Sequence, residues 1–236
     1  MKKKIAIIPA RGGSKRILRK NIKEFLGVPI IKYSIDAAIK SKIFDEVMVS
    51  TDDREIAELA ISCGAKVPFM RSPETADDHS TTADVIKEVL DSYKDQGKEF
   101  DHSCCIYPTA PFITHAKLKY AYQELVEKEA DSVVPVVRFS FPIQRSFKKE
   151  DGLLKMNWPE YLNTRSQDLP PAYHDSGQFY FFRIKAFLKT NSLYMENTVP
   201  YELPESEVQD IDNEEDWKLA EIKYSYLLNT IKGSNA

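Results

Sequence analysis

Cysteine is scarce. Three in 236 residues, two of them adjacent at Cys104 and Cys105, make neither a disulfide framework nor a CxxC metal pair, so they are expected in the core. Four scattered histidines offer no metal-binding constellation either. Charge of one sign is equally lacking: 33 Lys and Arg against 36 Asp and Glu leave a net charge of −3, with no long-range field for a nucleic-acid backbone. Nucleic acid is therefore not an expected partner, and any bound anion must meet a local cluster of cations. No apolar run approaches the ~20 residues of a membrane span. The basic start "MKKK" leads into a strand-like run with no cleavage pattern, so the chain is expected in the cytoplasm and off the membrane. Internal repeats and low-complexity tracts are absent too. What is there, 42% hydrophobic and 29% charged residues, is the balance of one compact domain, with room for an appendage.

The hydrophobic pattern alternates strand and helix and predicts an α/β fold of successive βα units. Ile5 to Ile8 is an apolar strand, Pro29 opens a helix with Ile31, Ile35 and Ala38 on one face, and Val47 to Ser50 is a strand ending in "TDD". Ile56, Leu59, Ala60 and Cys63 repeat the helical spacing, Gly64 stops it, and Val67 to Met70 reads as a third strand. Thr81 with Asp84 resembles a capping box for a helix carrying Val85, Val89 and Tyr93, with Gly97 after its end. Cys104 to Tyr107 is a strand running into "PTAPF". Leu118, Ala121, Tyr122 and Leu125 mark a helix, and Val133 to Val137 another strand. From Phe139 to Phe187, prolines, aromatics and short extended pieces such as "GLLKMNW" and "GQFYFF" replace the alternation. This span, 139–187, reads as an arm inserted between 1–138 and 188–236. In "VQDIDNEEDW", Asp212 and Glu215 are candidate caps for a last helix with Trp217, Ala220, Tyr224 and Leu227 on its face, and the tail "KGSNA" reads as frayed.

The stretch "PARGGSKR", Pro9 to Arg16, is odd chemistry for a mere turn. A strand ending in a glycine turn exposes backbone N–H groups, and two glycines let a phosphate approach them closely. Ser14 offers a hydroxyl, and Arg11, Lys15, Arg16, Arg19 and Lys20 offer charge. Taken alone, the same residues fit a solvated basic turn at least as well. GxxxxGK[ST] and GxGxxG are both absent, which disfavours a generic ATPase and a dinucleotide-binding enzyme. Late in the chain, Asp210 and Asp212 flank Ile211, so an extended backbone puts both carboxylates on one face, an arrangement that suits Mg²⁺ beside phosphates. A helix cap at Asp212 with a surface charge at Asp210 fits that pattern equally well.

"IAIIPARGGSKRILRKNI" resembles the nucleotide-binding signature of the CMP-sugar synthetases, the cytidylyltransferases that activate acidic nine-carbon sugars such as sialic acid. The resemblance spans nearly the whole chain, through "FDEVMVSTDDREIAELAISCGAKVPFMRSPETADD", "YPTAPF", "NTRSQDLPPAYHDSGQFYF" and "QDID". It implies a Rossmann-like, mostly parallel sheet with helices on both faces, of the nucleotide-diphospho-sugar transferase type, and an arm over 139–187 that makes a homodimer. It also implies CTP and an acidic nine-carbon sugar as substrates, Mg²⁺ as cofactor, and attack of the sugar's anomeric hydroxyl on the α-phosphate. Arg11, Ser14 and Lys20 would meet the triphosphate, with the Gly12 and Gly13 N–H groups completing the cradle and Arg11 and Lys20 neutralising charge during the reaction. Asn21 and Arg71 would recognise the cytidine, with Ser80, Thr81 and Thr82 nearby, and Asp210 and Asp212 would hold the metal.

Arg165 matches the arginine that meets the sugar carboxylate, while Tyr107, Gln167, Gln178 and Tyr180 would read the rest of the sugar. Gln144 and Arg145 are candidate contributions to a neighbour's site, and His174 and Asp175 are general-base candidates only through their place in the sequence. Leu18 stands where the family commonly has proline, and Tyr107 where the sialic-acid enzymes usually carry glutamine. Within the family, the pairing of "FPIQR" with "RSQDLPPAYHDSGQFYF" is most similar to members that act on pseudaminic acid in bacterial surface glycosylation. Synthetases for legionaminate, sialate or a shorter keto-sugar acid, and a nucleotide-binding regulatory module without catalysis, are the competing readings. Intact Lys20, Arg165, Asp210 and Asp212 speak against the last.

Overall fold

The computed structural model describes residues 2–77 and 80–233, the last three in backbone only, so most of the tail expected to fray lies outside the described residues. Its first strand, β1 (Lys4–Pro9), is buried on both faces: Ile5 and Ile7 point into one core layer, Ala6 and Ile8 into the other. Helices cover both sides of the sheet, which is why this strand is an unbroken apolar run.

A hairpin of β2 (Glu24–Phe25) and β3 (Val28–Pro29) follows, then α1 (Ile30–Ser41), β4 (Glu46–Ser50), α2 (Arg54–Ser62) and α3 (Pro73–Ala76). Next come α4 (Thr82–Asp95), β5 (His102–Ile106), α5 (His115–Glu127) and β6 (Ser132–Arg138). A second hairpin, β7 (Phe147–Glu150) with β8 (Leu153–Met156), precedes β9 (Tyr173–Asp175), β10 (Phe179–Arg183), α6 (Ile184–Thr190), β11 (Thr198–Glu202) and α7 (Glu214–Gly233). The main sheet runs β11-β6-β10-β5-β1-β4, with β9 also on β6. β4, β1, β5, β6 and β11 share one direction, and β9 and β10 run against them. The sheet is thus mixed but mostly parallel.

α1, α2 and α5 bury Ile31, Ile35, Ile56, Ala60, Leu118 and Ala121 against one face, while α4 and α6 bury Ile86, Val89, Tyr93 and Phe187 against the other. Cys104 and Cys105 are buried on opposite faces, as the sequence suggests, and the partly buried Cys63 packs on the first core. α7 lays Trp217 and Ala220 on Phe25, Ile30 and Phe112, a third cluster that also takes Ile17 and Ile211.

Two local expectations are corrected. Val67 to Met70 forms no strand; only Lys66 bridges to Met48. Pro68 has no N–H to give a ladder, and Phe69 turns into the core edge on to Tyr93, ring centroids 5.3 Å apart. The cap of α7 is Asn213, whose side-chain oxygen accepts from the N–H groups of Glu215 and Asp216, with the Asp216 carboxylate answering to the N–H groups of Asp212 and Asn213. The capping box Thr81/Asp84 forms as expected.

Within 139–187, β9 and β10 belong to the main sheet, and the stretch before them carries the β7–β8 hairpin away from it. Among the described residues no helix is long and apolar enough to cross a membrane.

Candidate active site

From β1 the chain moves to β4 on one side, then returns to β5 on the other side of β1. Where a parallel sheet reverses its winding, the loops leaving adjacent strands diverge and open a crevice at their carboxyl ends. Here that crevice is a cleft of about 630 Å³ between the loop after β1 and "YPT" after β5.

The loop is set by backbone bonds and one steric demand. The Ala10 N–H donates to the Ser50 carbonyl at 2.9 Å, the Ser14 N–H donates to the Gly12 carbonyl at 3.0 Å, and the Gly12 N–H donates to the Asp52 carboxylate at 2.8 Å. A Cβ on Gly12 would lie 2.7 Å from Asp53 Oδ2, so only glycine lets the loop press this closely against the turn after β4. Gly13 faces open space. Ile17, buried, pins the loop to the third core cluster, whereas Leu18 is 81% exposed. Arg19 adopts a left-handed conformation (φ +54°), and its guanidinium pairs with Asp53 and Glu55 rather than lining the cleft.

Arg11, Ser14, Lys20 and Asn21 line one side of the cleft; Arg71, Ser80, Thr81 and Thr82 line the other, together with Tyr107. Lys15 and Arg16, offered by the sequence only as charge, line it too. Asn21 is buried and donates from Nδ2 to the Arg11 carbonyl at 2.8 Å, so it braces the loop from within. Arg71 is 7% exposed and donates to both the hydroxyl and the carbonyl of Ser50, at 3.0 and 2.6 Å. Burial pushes its guanidinium pKa down, and among the described residues no carboxylate forms an ion pair with it. Arg11 donates to the Asp77 carbonyl at 2.9 Å. The Thr81 hydroxyl serves the helix cap, that of Thr82 lies 3.2 Å from the Tyr107 phenol, and Ser80 bonds to Asp77 and to the Glu74 carbonyl.

The late acidic pair meets this loop. Ile211 is buried, and the alternation of the backbone sends its neighbours Asp210 and Asp212 outward. Lys20 Nζ donates to the Ile211 carbonyl at 2.7 Å, and Arg16 pairs with Asp212 at 2.9 Å. Burial lowers the Lys20 pKa, and the charges of Asp212 and Asp210 oppose that fall. Partial desolvation, then the charge of Asp212, raise the Asp210 carboxyl. Since Asn213 caps α7, the Asp212 side chain is not taken up by the cap and pairs instead with Arg16, which lines the cleft.

The profile of the cytidylyltransferase family matches residues 5–228. The chain belongs to this family. This cytidylyltransferase, a nucleotidyltransferase by that membership, is 42% identical over 223 residues to the pseudaminic acid cytidylyltransferase of Campylobacter jejuni, covering 94% of this chain and 96% of that one. It is 34% identical over 226 residues to the CMP-N,N'-diacetyllegionaminic acid synthase of Legionella pneumophila, with 92% and 94% covered. Among solved structures, a CMP:2-keto-3-deoxy-manno-octonic acid synthetase complexed with CTP shares its fold, with a TM-score of 0.69 at 18% identity over 96% of this chain and 99% of that one.

The residues that the sequence assigns to a sugar are dispersed in the cytidylyltransferase. Tyr107 lines the cleft, and burial raises its phenol pKa. Tyr180 packs edge-on against it, centroids 5.5 Å apart, and donates its hydroxyl to Asp175 at 2.5 Å. Gln178 is buried, donating from Nε2 to the Glu207 carbonyl at 2.8 Å, while its Oε1 has no hydrogen-bond partner among the described residues. Arg165 and Gln167 are exposed outside the cleft, and Arg165 pairs with Asp168 at 2.7 Å. Arg145 braces that segment through Ser166 and the Leu162 carbonyl, and Gln144 donates to the Pro170 carbonyl. The His174 ring lies tilted by 58° against Phe139, centroids 4.9 Å apart.

Sequence reasoning missed Asp52 and Asp53 as the surface the glycine loop rests on, although "TDD" directly after a strand was the available signal. It also missed Tyr194, whose hydroxyl donates to Asp175 at 2.7 Å. No pattern in the sequence marks that contact.

Proposed function

We propose that this cytidylyltransferase transfers CMP from CTP to the anomeric hydroxyl of a nonulosonic acid, pseudaminic acid before others, and releases pyrophosphate. The observation that carries the reading is electrostatic. In a chain of net charge −3, Arg11, Lys15, Arg16, Lys20 and Arg71 converge on one cleft, and Arg71 is buried there with no ion pair among the described residues, the charges of Asp52 and Glu88 reaching it only from a distance. A buried guanidinium beside four more cations calls for a multiply charged anion. The relationship to pseudaminic acid cytidylyltransferase at 42% identity supports the choice of sugar.

The donor set fits Mg²⁺. Asp210 and Asp212 are two carboxylates beside Lys20, the Asp210 carboxyl raised by burial and then by the charge of Asp212, and no third carboxylate, His or Cys joins them in a metal-holding group among the described residues. Magnesium is commonly held by one or two carboxylates, completed by substrate phosphates and water. Bound there, it would neutralise phosphate charge.

The protein's own work is then positioning and electrostatics. Arg11 and Lys20 take the charge of the phosphates. Lys20 stays aimed because the Ile211 carbonyl holds it, and Asn21 fixes the Arg11 backbone. The anomeric oxygen forms its bond to the α-phosphorus as the bond to the β-phosphate oxygen breaks, pyrophosphate carries away the electron pair, and the hydroxyl proton passes to solvent.

We further propose a homodimer built through the segment of the β7–β8 hairpin. It exposes Phe141, Phe147, Leu153, Leu154 and Leu162, each by more than half, and covering such a surface gives Arg165 a route to a neighbouring cleft.

Pyrophosphate release with CTP, Mg²⁺ and a panel of nonulosonic acids tests the reading. A higher kcat/KM for pseudaminic acid than for N-acetylneuraminic or legionaminic acid is expected. A preference for either of the others would leave CMP transfer standing and overturn the sugar, and no release with any of them would overturn both.

A further inference from the structure

At Asp175 the strand lying on β6 is interrupted. β9 ends there against Val136 of β6, and after Ser176, Gly177 (φ +61°) and Gln178 the chain resumes as β10, which pairs with β6 again and with β5 on its other side. Interruptions of this kind re-aim side chains next to sites. Here the Asp175 carboxylate becomes the meeting point of three donors. Its Oδ2 accepts from the hydroxyls of Tyr180 and Tyr194, at 2.5 and 2.7 Å, and its Oδ1 from the Gly177 N–H at 3.0 Å. Tyr180 and Tyr194 come from different elements and meet edge-on, centroids 6.3 Å apart. Tyr180 in turn packs edge-on against Tyr107, whose phenol lies 3.2 Å from the Thr82 hydroxyl on the cleft wall.

We infer that Asp175 is a positioning residue for the sugar half of the cleft, clamping Tyr180 and Tyr194 so that Tyr107 holds one orientation towards Thr82. The inference rests on reading Tyr107 as the wall that meets the sugar. Two phenols competing for one carboxylate oxygen cannot rotate independently, and a ring packed edge-on against a fixed ring inherits its orientation. Burial first, and then neighbouring groups that include Asp175, hold the phenol pKa values of Tyr180 and Tyr194 above their ordinary value, so both hydroxyls stay protonated as donors. Asp175 is itself exposed and outside the cleft lining, so it acts through the tyrosines.

The test compares the full chain with Asp175→Ala, Tyr194→Phe and the double variant, in steady state with CTP, Mg²⁺ and the preferred nonulosonic acid. Asp175→Ala is expected to raise the KM for the sugar on the order of tenfold, the scale of lost hydrogen bonds to a charged group. The KM for CTP should stay within about twofold, and Tyr194→Phe should add little to Asp175→Ala, because both break one network. An unchanged sugar KM, or an equal rise for both substrates, overturns the inference. A crystal structure of ligand-free Asp175→Ala decides the same point without turnover: Tyr107 displaced from Thr82 supports the clamp, and Tyr107 in place refutes it. If the unaltered protein turns over no nonulosonic acid, the functional reading falls, and the crystal structure still decides the clamp.

Discussion

Lys20 Nζ donates to the carbonyl of Ile211 at 2.7 Å, across 191 residues of chain. One bond thereby joins the glycine loop to the segment that carries Asp210 and Asp212, and the cation that would meet the phosphates is held by a backbone carbonyl within the field of both carboxylates. The loop that lines one side of the cleft is thereby tied to the last part of the fold, a second tie being the Arg16–Asp212 pair.

Asp210→Asn and Asp212→Asn each remove a formal charge at constant size. Either is expected to cut Mg²⁺-dependent turnover by at least ~10²-fold, since even outer-shell partners of a metal are worth 10–100-fold, with the fold intact by circular dichroism. Pyrophosphate release across a Mg²⁺ titration checks it, and near-normal rates in both variants at ordinary Mg²⁺ would remove the metal assignment.

Arg11→Ala and Lys20→Ala should each weaken CTP binding by roughly 1.5–3 kcal/mol, the scale for hydrogen bonds to charged groups. Binding of the free sugar should change much less. Calorimetry with CTP reads the difference, and unchanged affinity would return the loop to a solvated basic turn.

Gly12→Ala places a methyl 2.7 Å from Asp53 Oδ2 and 2.9 Å from Asp53 Cβ. Asp53 cannot retreat freely, because it caps α2 through the Ile56 N–H and pairs with Arg19. A loss of about 1–3 kcal/mol in stability is expected, with weaker CTP binding as the loop lifts. Urea unfolding and calorimetry on one sample separate the two effects.

Glu46, 5% exposed, is a buried acid outside the cleft lining. Burial alone would raise its carboxyl pKa, but bonds from Lys98, Lys66 and Tyr93 outweigh it and hold the group below its ordinary 4.5. A depressed acid contributes stability above its unfolded value and loses it as pH falls through the folded one. Glu46→Gln should therefore cost about 1.5–3 kcal/mol at pH 7, and the gap from the unaltered protein should narrow below pH 4.5. Urea unfolding at neutral and acid pH measures it, and a gap that stays constant would mean the charge does not matter.

Leu154, 72% exposed on β8, belongs to the surface proposed as the dimer contact. Sedimentation should find the unaltered chain as a dimer and Leu154→Asp shifted towards monomer, with a raised sugar KM if Arg165 serves the neighbouring site. A monomeric unaltered chain of full activity would refute the assembly.

The sequence by itself determined what depends on near neighbours. β1 is apolar at every inward position on both faces, so its run is legible without a partner strand, and Thr81 with Asp84 closes its capping box within one turn of chain. Alternation about Ile211 likewise put Asp210 and Asp212 on one side, because strand geometry needs no tertiary contact to do so. Tertiary structure decided the rest. "VPFM" has strand composition, but Pro68 lacks a ladder donor and Phe69 gains more by packing on Tyr93. Asp212 looked equally like a cap until Asn213 took that place with Asp216. Arg19 and Lys20, adjacent and both basic, are told apart in the sequence only by the family resemblance, which picks out Lys20. Only the left-handed turn at Arg19 sends one to Asp53 and the other to Ile211, because which cation meets the cleft depends on what lies across the fold.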